Sequence, residues 1–120
     1  MNIITSNTIA EKLSSASVTC NSLHPGVVIT PIHNKLSHEL TLSRHIIQKI
    51  LLPIIGKSVW EGAQTQIELA LSKQLQHVSG KYFVDCKPVF QPWKTRDKDF
   101  CMKLWKISEE LVRLEEHEKL

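Results

Sequence analysis

The sequence predicts an α/β fold, in the order helix end, strand, irregular segment, helix, strand, helix. Three observations predict it. Two short runs rich in β-branched and aromatic residues, 18–24 and 81–84, are bounded by turn formers. Two longer stretches, after Ser58 and after Asp97, repeat apolar residues at helical spacing. The runs alternate with the helical patterns, as they do in α/β domains.

The elements follow in chain order. Residues 2–13 read as the end of a helix: Ile3, Ile4, Ile9 and Leu13 fall roughly on one face, and Ala10-Glu11-Lys12-Leu13 favours helix. Serines within 14–17 break it. The strand follows at 18–24, where Val18, Thr19 and Cys20 suit a pleated, half-buried surface. It stops at His24-Pro25-Gly26. Pro25 donates nothing to a ladder and pushes His24 toward an extended conformation. Gly26 permits a turn and a close approach to the main chain. With the Thr30 hydroxyl four residues on, this stretch can form a ligand edge, because ligands in open α/β sheets sit outside the carboxyl ends of strands. The plainer reading of the same residues is a strand followed by a tight turn.

Residues 31–57 differ in character. Pro31, Pro53, Gly56 and three histidines flank an apolar patch at 45–52, which Pro53 is expected to end. Within it Ile46, Ile47, Ile50 and Leu51 repeat at helical spacing. The patch reads as a short helix packed on the core, or as a shallow interfacial helix flanked by Arg44 and Lys49.

Ser58-Val59-Trp60-Glu61 forms a capping box, and Trp60, Ala63, Ile67, Ala70 and Leu71 continue as an apolar stripe expected to be core. Val78-Ser79-Gly80 is a turn before the second strand, at 81–84. Residues 86–96 hold Pro88 and Pro92 and read as an irregular connection. Thr95 or Asp97 can cap a final helix, whose face is Phe100, Leu104, Ile107, Leu111 and Leu114 with Trp105 beside it. Residues 115–120 are expected to be solvated.

Composition narrows the function. At 120 residues, 42% apolar and 22% charged, the chain is one ordinary globular domain at most. A net charge of +3 with scattered basic residues argues against a nucleic-acid partner. Cys20, Cys86 and Cys101 lack paired metal spacing and read as reduced thiols of a cytosol-facing protein. His24 reads as packed, and His33, His38 and His45 match no closed zinc site, so no metal is expected. No basic stretch followed by an apolar run opens the chain, and no stretch reaches the roughly 20 apolar residues of a membrane span. A G-x-S-x-G nucleophile elbow is also missing.

Four blocks carry a resemblance. They are residues 18–30, Glu61-Gly62-Ala63-Gln64-Thr65, residues 78–87, and Lys103-Leu104-Trp105 with Ser108-Glu109-Glu110-Leu111-Val112. In order and spacing they resemble the C-terminal portion of short-chain dehydrogenases/reductases, on the retinol dehydrogenase branch. The resemblance implies part of a Rossmann-type, doubly wound parallel sheet, with residues 1–120 a partial domain lacking its N-terminal nucleotide-binding half. It implies an oxidoreductase using NADP(H) or NAD(H) on retinoids or other lipophilic aldehydes and alcohols. By resemblance Pro25, Gly26, Val28 and Thr30 contact the nicotinamide end. The Val28 main chain would bond the carboxamide, and the Thr30 hydroxyl the carboxamide or a phosphate. Residues 31–57 become the substrate loop, with Ile46, Ile47, Ile50 and Leu51 as an apolar lid.

The family's acid–base pair, Tyr-x-x-x-Lys, and its Gly-rich phosphate turn do not occur in this sequence. Tyr82 is followed four residues on by Cys86. Matching residues 2–13 to the family's catalytic helix puts its lysine just upstream of Met1. The expectation is therefore a truncated, inactive form with no catalytic residue of its own, holding NADP or NAD weakly. The choice between the two cofactors is made in the missing half. Two alternatives stay open: an interaction or regulatory fragment that pairs with an intact relative through an exposed sheet edge, and an incomplete gene model. Relatives are often held on the endoplasmic reticulum or mitochondrial membrane by an N-terminal anchor, which leaves this chain's own location unread.

Overall fold

The structure is a computed structural model and describes residues 2–31, 50 and 52–118. Helix α1 (Asn2–Lys12) leads into strand β1 (Ser22–His24). A four-residue helix α2 (Leu52–Ile55) precedes α3 (Val59–Leu71). Strands β2 (Tyr82–Val84) and β3 (Lys87–Val89) follow, and α4 (Lys98–Val112) comes last. Pro53 lies in the first turn of α2; the expected helical patch before it falls, apart from Ile50 and Leu52, outside the described residues.

The sheet runs in the order β1-β2-β3. β1 and β2 are parallel, with Ser22 opposite Tyr82 and His24 opposite Val84. β2 and β3 are antiparallel, with Phe83 opposite Pro88. The described sheet is thus mixed, not the wholly parallel sheet expected, and 86–96 is not wholly irregular. Asp85 (φ 52°) and Cys86 (φ 61°) both adopt positive φ, the requirement of a two-residue type I′ hairpin turn. Their side chains gave no turn signal, because Asn-Gly or Asp-Gly is the usual mark of such a turn. Pro88 is tolerated because β3 is an edge strand.

The first strand is shorter than the expected 18–24, and Val18 is exposed. Side chains continue the pairing where the ladder stops. The Cys20 N–H donates to the Ser79 hydroxyl (3.0 Å), and the Gly80 N–H to the Cys20 carbonyl (2.8 Å). The Asn21 amide donates to the Val78 carbonyl (2.7 Å) and accepts from the Lys81 N–H (3.0 Å).

α3 begins with the expected capping box. The Ser58 hydroxyl accepts from the Glu61 N–H (3.2 Å), and the Glu61 carboxylate accepts from the Ser58 N–H (2.7 Å). Its buried face is not the expected stripe. Trp60 is 72% and Leu71 76% exposed, whereas Gly62 and Thr65 are buried. The helix lies so close to the segment after β1 that a Cβ on Gly62 would stand 2.4 Å from Val28 Cγ2. That approach selects the Gly62 face and turns the larger apolar residues outward.

α1 packs against α4, with Ile4 buried and the Lys12 ammonium 5.5 Å from the Trp105 ring centroid. Asp97, one of the two expected caps, accepts from the Phe100 N–H at the start of α4. The expected apolar face of α4 is only partly covered, with Phe100, Ile107 and Leu111 exposed. Among the described residues the buried apolar side chains are Ile4 and Phe83, the latter 1% exposed at the centre of the sheet. Cys20, Cys86 and Cys101 are free thiols. No described helix is long and apolar enough to cross a membrane.

Two outcomes follow from α3. An alanine in a helix interior ordinarily stabilises over glycine by about 1 kcal/mol. At Gly62 the sign reverses: Gly62→Ala destabilises by about 1–3 kcal/mol through overpacking, and Val28→Ala in the same chain recovers part of the loss. Urea unfolding of the three variants measures this. The second outcome concerns pH. The Ser58 N–H and then its hydroxyl hold the Glu61 carboxyl below its ordinary value; desolvation opposes them, and the Lys57 charge adds a lesser pull in the same direction as Ser58. A lowered folded pKa gives stability that is full above the unfolded value and is lost as pH falls through the folded one. The first turn of α3 therefore loosens on acidification below the ordinary carboxylate range, and Glu61→Gln flattens that dependence. Amide exchange at Glu61 and Gly62 across that range, measured against Gln at position 61, tests it.

Candidate functional site

The parallel pairing of β1 and β2 sets their carboxyl ends side by side, with His24 level with Val84. Two turns leave this edge. After β1, Pro25 ends the ladder and Gly26 takes φ 84°, a conformation that L side chains rarely adopt. The Gly26 N–H donates to His24 Nδ1 (2.9 Å), so this histidine closes its own turn. After β2, the Asp85-Cys86 turn is fixed from α3: the Cys86 N–H donates to the Thr65 hydroxyl (3.2 Å), and Thr65 is 2% exposed.

Lys57 joins the two turns. Its N–H donates to the Val27 carbonyl (2.8 Å), and its carbonyl accepts from the Ile29 N–H (2.9 Å), a parallel bridge centred on Val28. Its side chain lies over Gly26, with Cδ, Cε and Nζ 3.0–3.1 Å from the place a Cβ would take. Its ammonium pairs with the Asp85 carboxylate. Both charges keep contact with water, so the ion pair itself contributes no more than about 1 kcal/mol. The covered stem is the larger part of the contact.

The four residues expected at a cofactor edge, Pro25, Gly26, Val28 and Thr30, therefore share one strand end. Val28 turns its side chain under Gly62, and Thr30 is half-buried. Of the expected lid residues, Ile50 is 60% exposed, while Ile46, Ile47 and Leu51 lie outside the described residues. Sequence reasoning missed Lys57, Asp85 and the role of Gly62. A glycine inside a confident helix was the available signal, since it costs helix stability unless packing needs it. The Lys57–Asp85 pairing, 28 residues apart, left no local trace.

This edge can present main-chain and hydroxyl groups to a flat polar ligand beside a cation. Tyr82 lies within β2. Among the described residues no cluster of histidine, cysteine and carboxylate could hold a metal. A cavity of about 650 Å³ opens elsewhere, between α1 and the start of α4 near Ser79 and Gly80. Cys101 faces it, its thiol pushed up by burial and by the nearby Asp97 and Glu11 carboxylates, and therefore kept protonated.

No family model matches the chain. Individual proteins do. Human retinol dehydrogenase 14 is 39% identical over 94% of the chain, and bovine (Bos taurus) retinol dehydrogenase 12 is 32% identical over 92%. The chloroplastic short-chain dehydrogenase TIC 32 A of Brassica napus is 31% identical over 92%. The chain spans about a third of the length of these curated relatives: 33%, 33% and 34%. Over nearly its whole extent it is a relative of retinol dehydrogenases, and it belongs, as a segment resembling their C-terminal portion, to the short-chain dehydrogenase/reductase family.

Proposed function

We propose that this chain supplies the nicotinamide-facing edge and the substrate loop of an NAD(P)(H)-dependent oxidoreductase acting on retinoids or similar lipophilic alcohols and aldehydes. One observation carries the reading. The Pro25-Gly26 turn, at positive φ, opens at the shared carboxyl end of two parallel strands, where α/β sheets take ligands. The names of the relatives supply the chemistry. The groups offered to the nicotinamide end of a dinucleotide are the main chain at Val28 and the Thr30 hydroxyl, beside the Gly26 turn that Lys57 covers. When bound, the dinucleotide gives or accepts the hydride. This chain's residues hold and orient the ring, and residues 31–57, with Ile46, Ile47, Ile50 and Leu51, cover the apolar substrate.

Alone, the chain is proposed to be inactive, because no tyrosine in it is followed four residues on by lysine. Lost acid–base assistance alone is worth on the order of 10²–10⁴ in rate. A second reading, a regulatory fragment that docks on an intact relative, draws on the described edge position of β1 and on exposed Trp60 and Leu71.

The test joins this chain to the N-terminal two thirds of a retinol dehydrogenase. The joined protein is expected to reduce retinal with NADPH or NADH, whereas the chain alone shows no turnover above buffer. Within the joined protein, Ile47→Asp or Leu51→Asp raises KM for a long apolar aldehyde about tenfold or more, as burial of one such side chain is worth roughly 1.5–3 kcal/mol. KM for a short aldehyde changes little. Equal loss on both aldehydes, with unfolding, makes the patch core and removes the lid. An inactive joined protein that is folded removes the oxidoreductase reading.

A further inference from the structure

We propose that Lys57 is a positioning residue for the 25–30 edge, setting the Gly26 turn at a fixed distance from β2 through Asp85. The assignment of that edge to a nicotinamide rests on the reading above; the clamp does not. Lys57 grips the segment after β1 twice, by its backbone at Val27 and Ile29 and by its stem over Gly26. It grips the turn after β2 once, through Asp85. That turn is anchored from α3 by the buried Thr65 hydroxyl on the Cys86 N–H. Rigidity therefore passes from α3 through the β2–β3 turn and the Lys57 side chain to the main chain at Gly26.

The geometry explains the residue type at both ends. Gly26 is favoured by its positive φ, and the absence of a Cβ lets the Lys57 stem lie directly over it. Asp85 accepts positive φ more readily than most residues and projects a short carboxylate from it. Among the described residues the Glu61 carboxylate is engaged by the Ser58 N–H and hydroxyl, and the ammonium pairs with Asp85.

Hydrogen exchange in the full chain tests the clamp without any ligand, read at the Ile29 amide, with α4 amides as the internal control. Lys57→Met keeps the stem and removes the charge. It is expected to speed exchange at Ile29 by up to about fivefold, the ceiling for an exposed ion pair. Asp85→Asn does the same, Lys57→Ala does more because the cover over Gly26 is gone, and Lys57→Arg stays near the parent. The reversed pair, Lys57→Asp with Asp85→Lys, exchanges more slowly than either single reversal. The clamp is overturned by an unprotected Ile29 amide in the parent chain, by no change in Lys57→Met and Lys57→Ala, or by equal acceleration in α4. In the joined protein, Lys57→Met is expected to raise KM for the nicotinamide cofactor severalfold with kcat largely kept, and Lys57→Arg to restore it. Faster exchange at Ile29 without a change in that KM leaves the clamp standing and overturns the nicotinamide assignment.

Discussion

The contact between Gly62 and Val28 sets the position of almost everything around the candidate edge. A helix and an extended segment ordinarily keep apart by the width of their side chains. Here one partner has none, and the helix comes within reach of the Val28 methyls. Once α3 is that close, Thr65, on the same helix, reaches the Cys86 N–H, and the turn after β2 is held. Lys57, just before the capping residue Ser58, is then delivered between the two strand ends. A single missing Cβ thus brings helix, strand end and hairpin turn into one unit.

The same contact explains which parts of the sequence were legible. Features written in neighbouring residues could be read directly. The Ser58/Glu61 box, the Asp97 cap, the end of α1 and the His24-Pro25-Gly26 stop all use donors and acceptors within a few positions. Features that depend on residues far apart could not. Trp60 and Leu71 form a regular apolar stripe, and hydrophobicity alone assigns them to the core. The approach at Gly62 outweighs the stripe and rotates it outward. The β2–β3 hairpin was hidden for another reason. Asp85-Cys86 is poor turn chemistry, and Pro88 argues against a strand unless the strand is known to lie at an edge.

Exposed apolar surface is the counterpart of this arrangement. Few side chains are buried among the described residues, and large ones on α3 and α4 face outward, Trp60, Phe100 and Leu111 among them. Single exposed apolar residues need no explanation, but several along two helices point to a surface that works when covered.

The division of labour within the site follows from where its parts lie in the chain. Orientation of a flat polar ring needs main chain held at a fixed height, and main chain is best held by a strand end and a packed helix. Residues 25–30 have both. Among the described residues at the edge, His24 Nδ1 accepts from the Gly26 N–H, the Lys57 ammonium pairs with Asp85, and the Glu61 carboxylate accepts from Ser58. Each of the three is occupied in building the edge. The height of the main chain at residues 25–30 is thus set by contacts from Lys57, from the turn after β2 and from α3, which come from far along the chain.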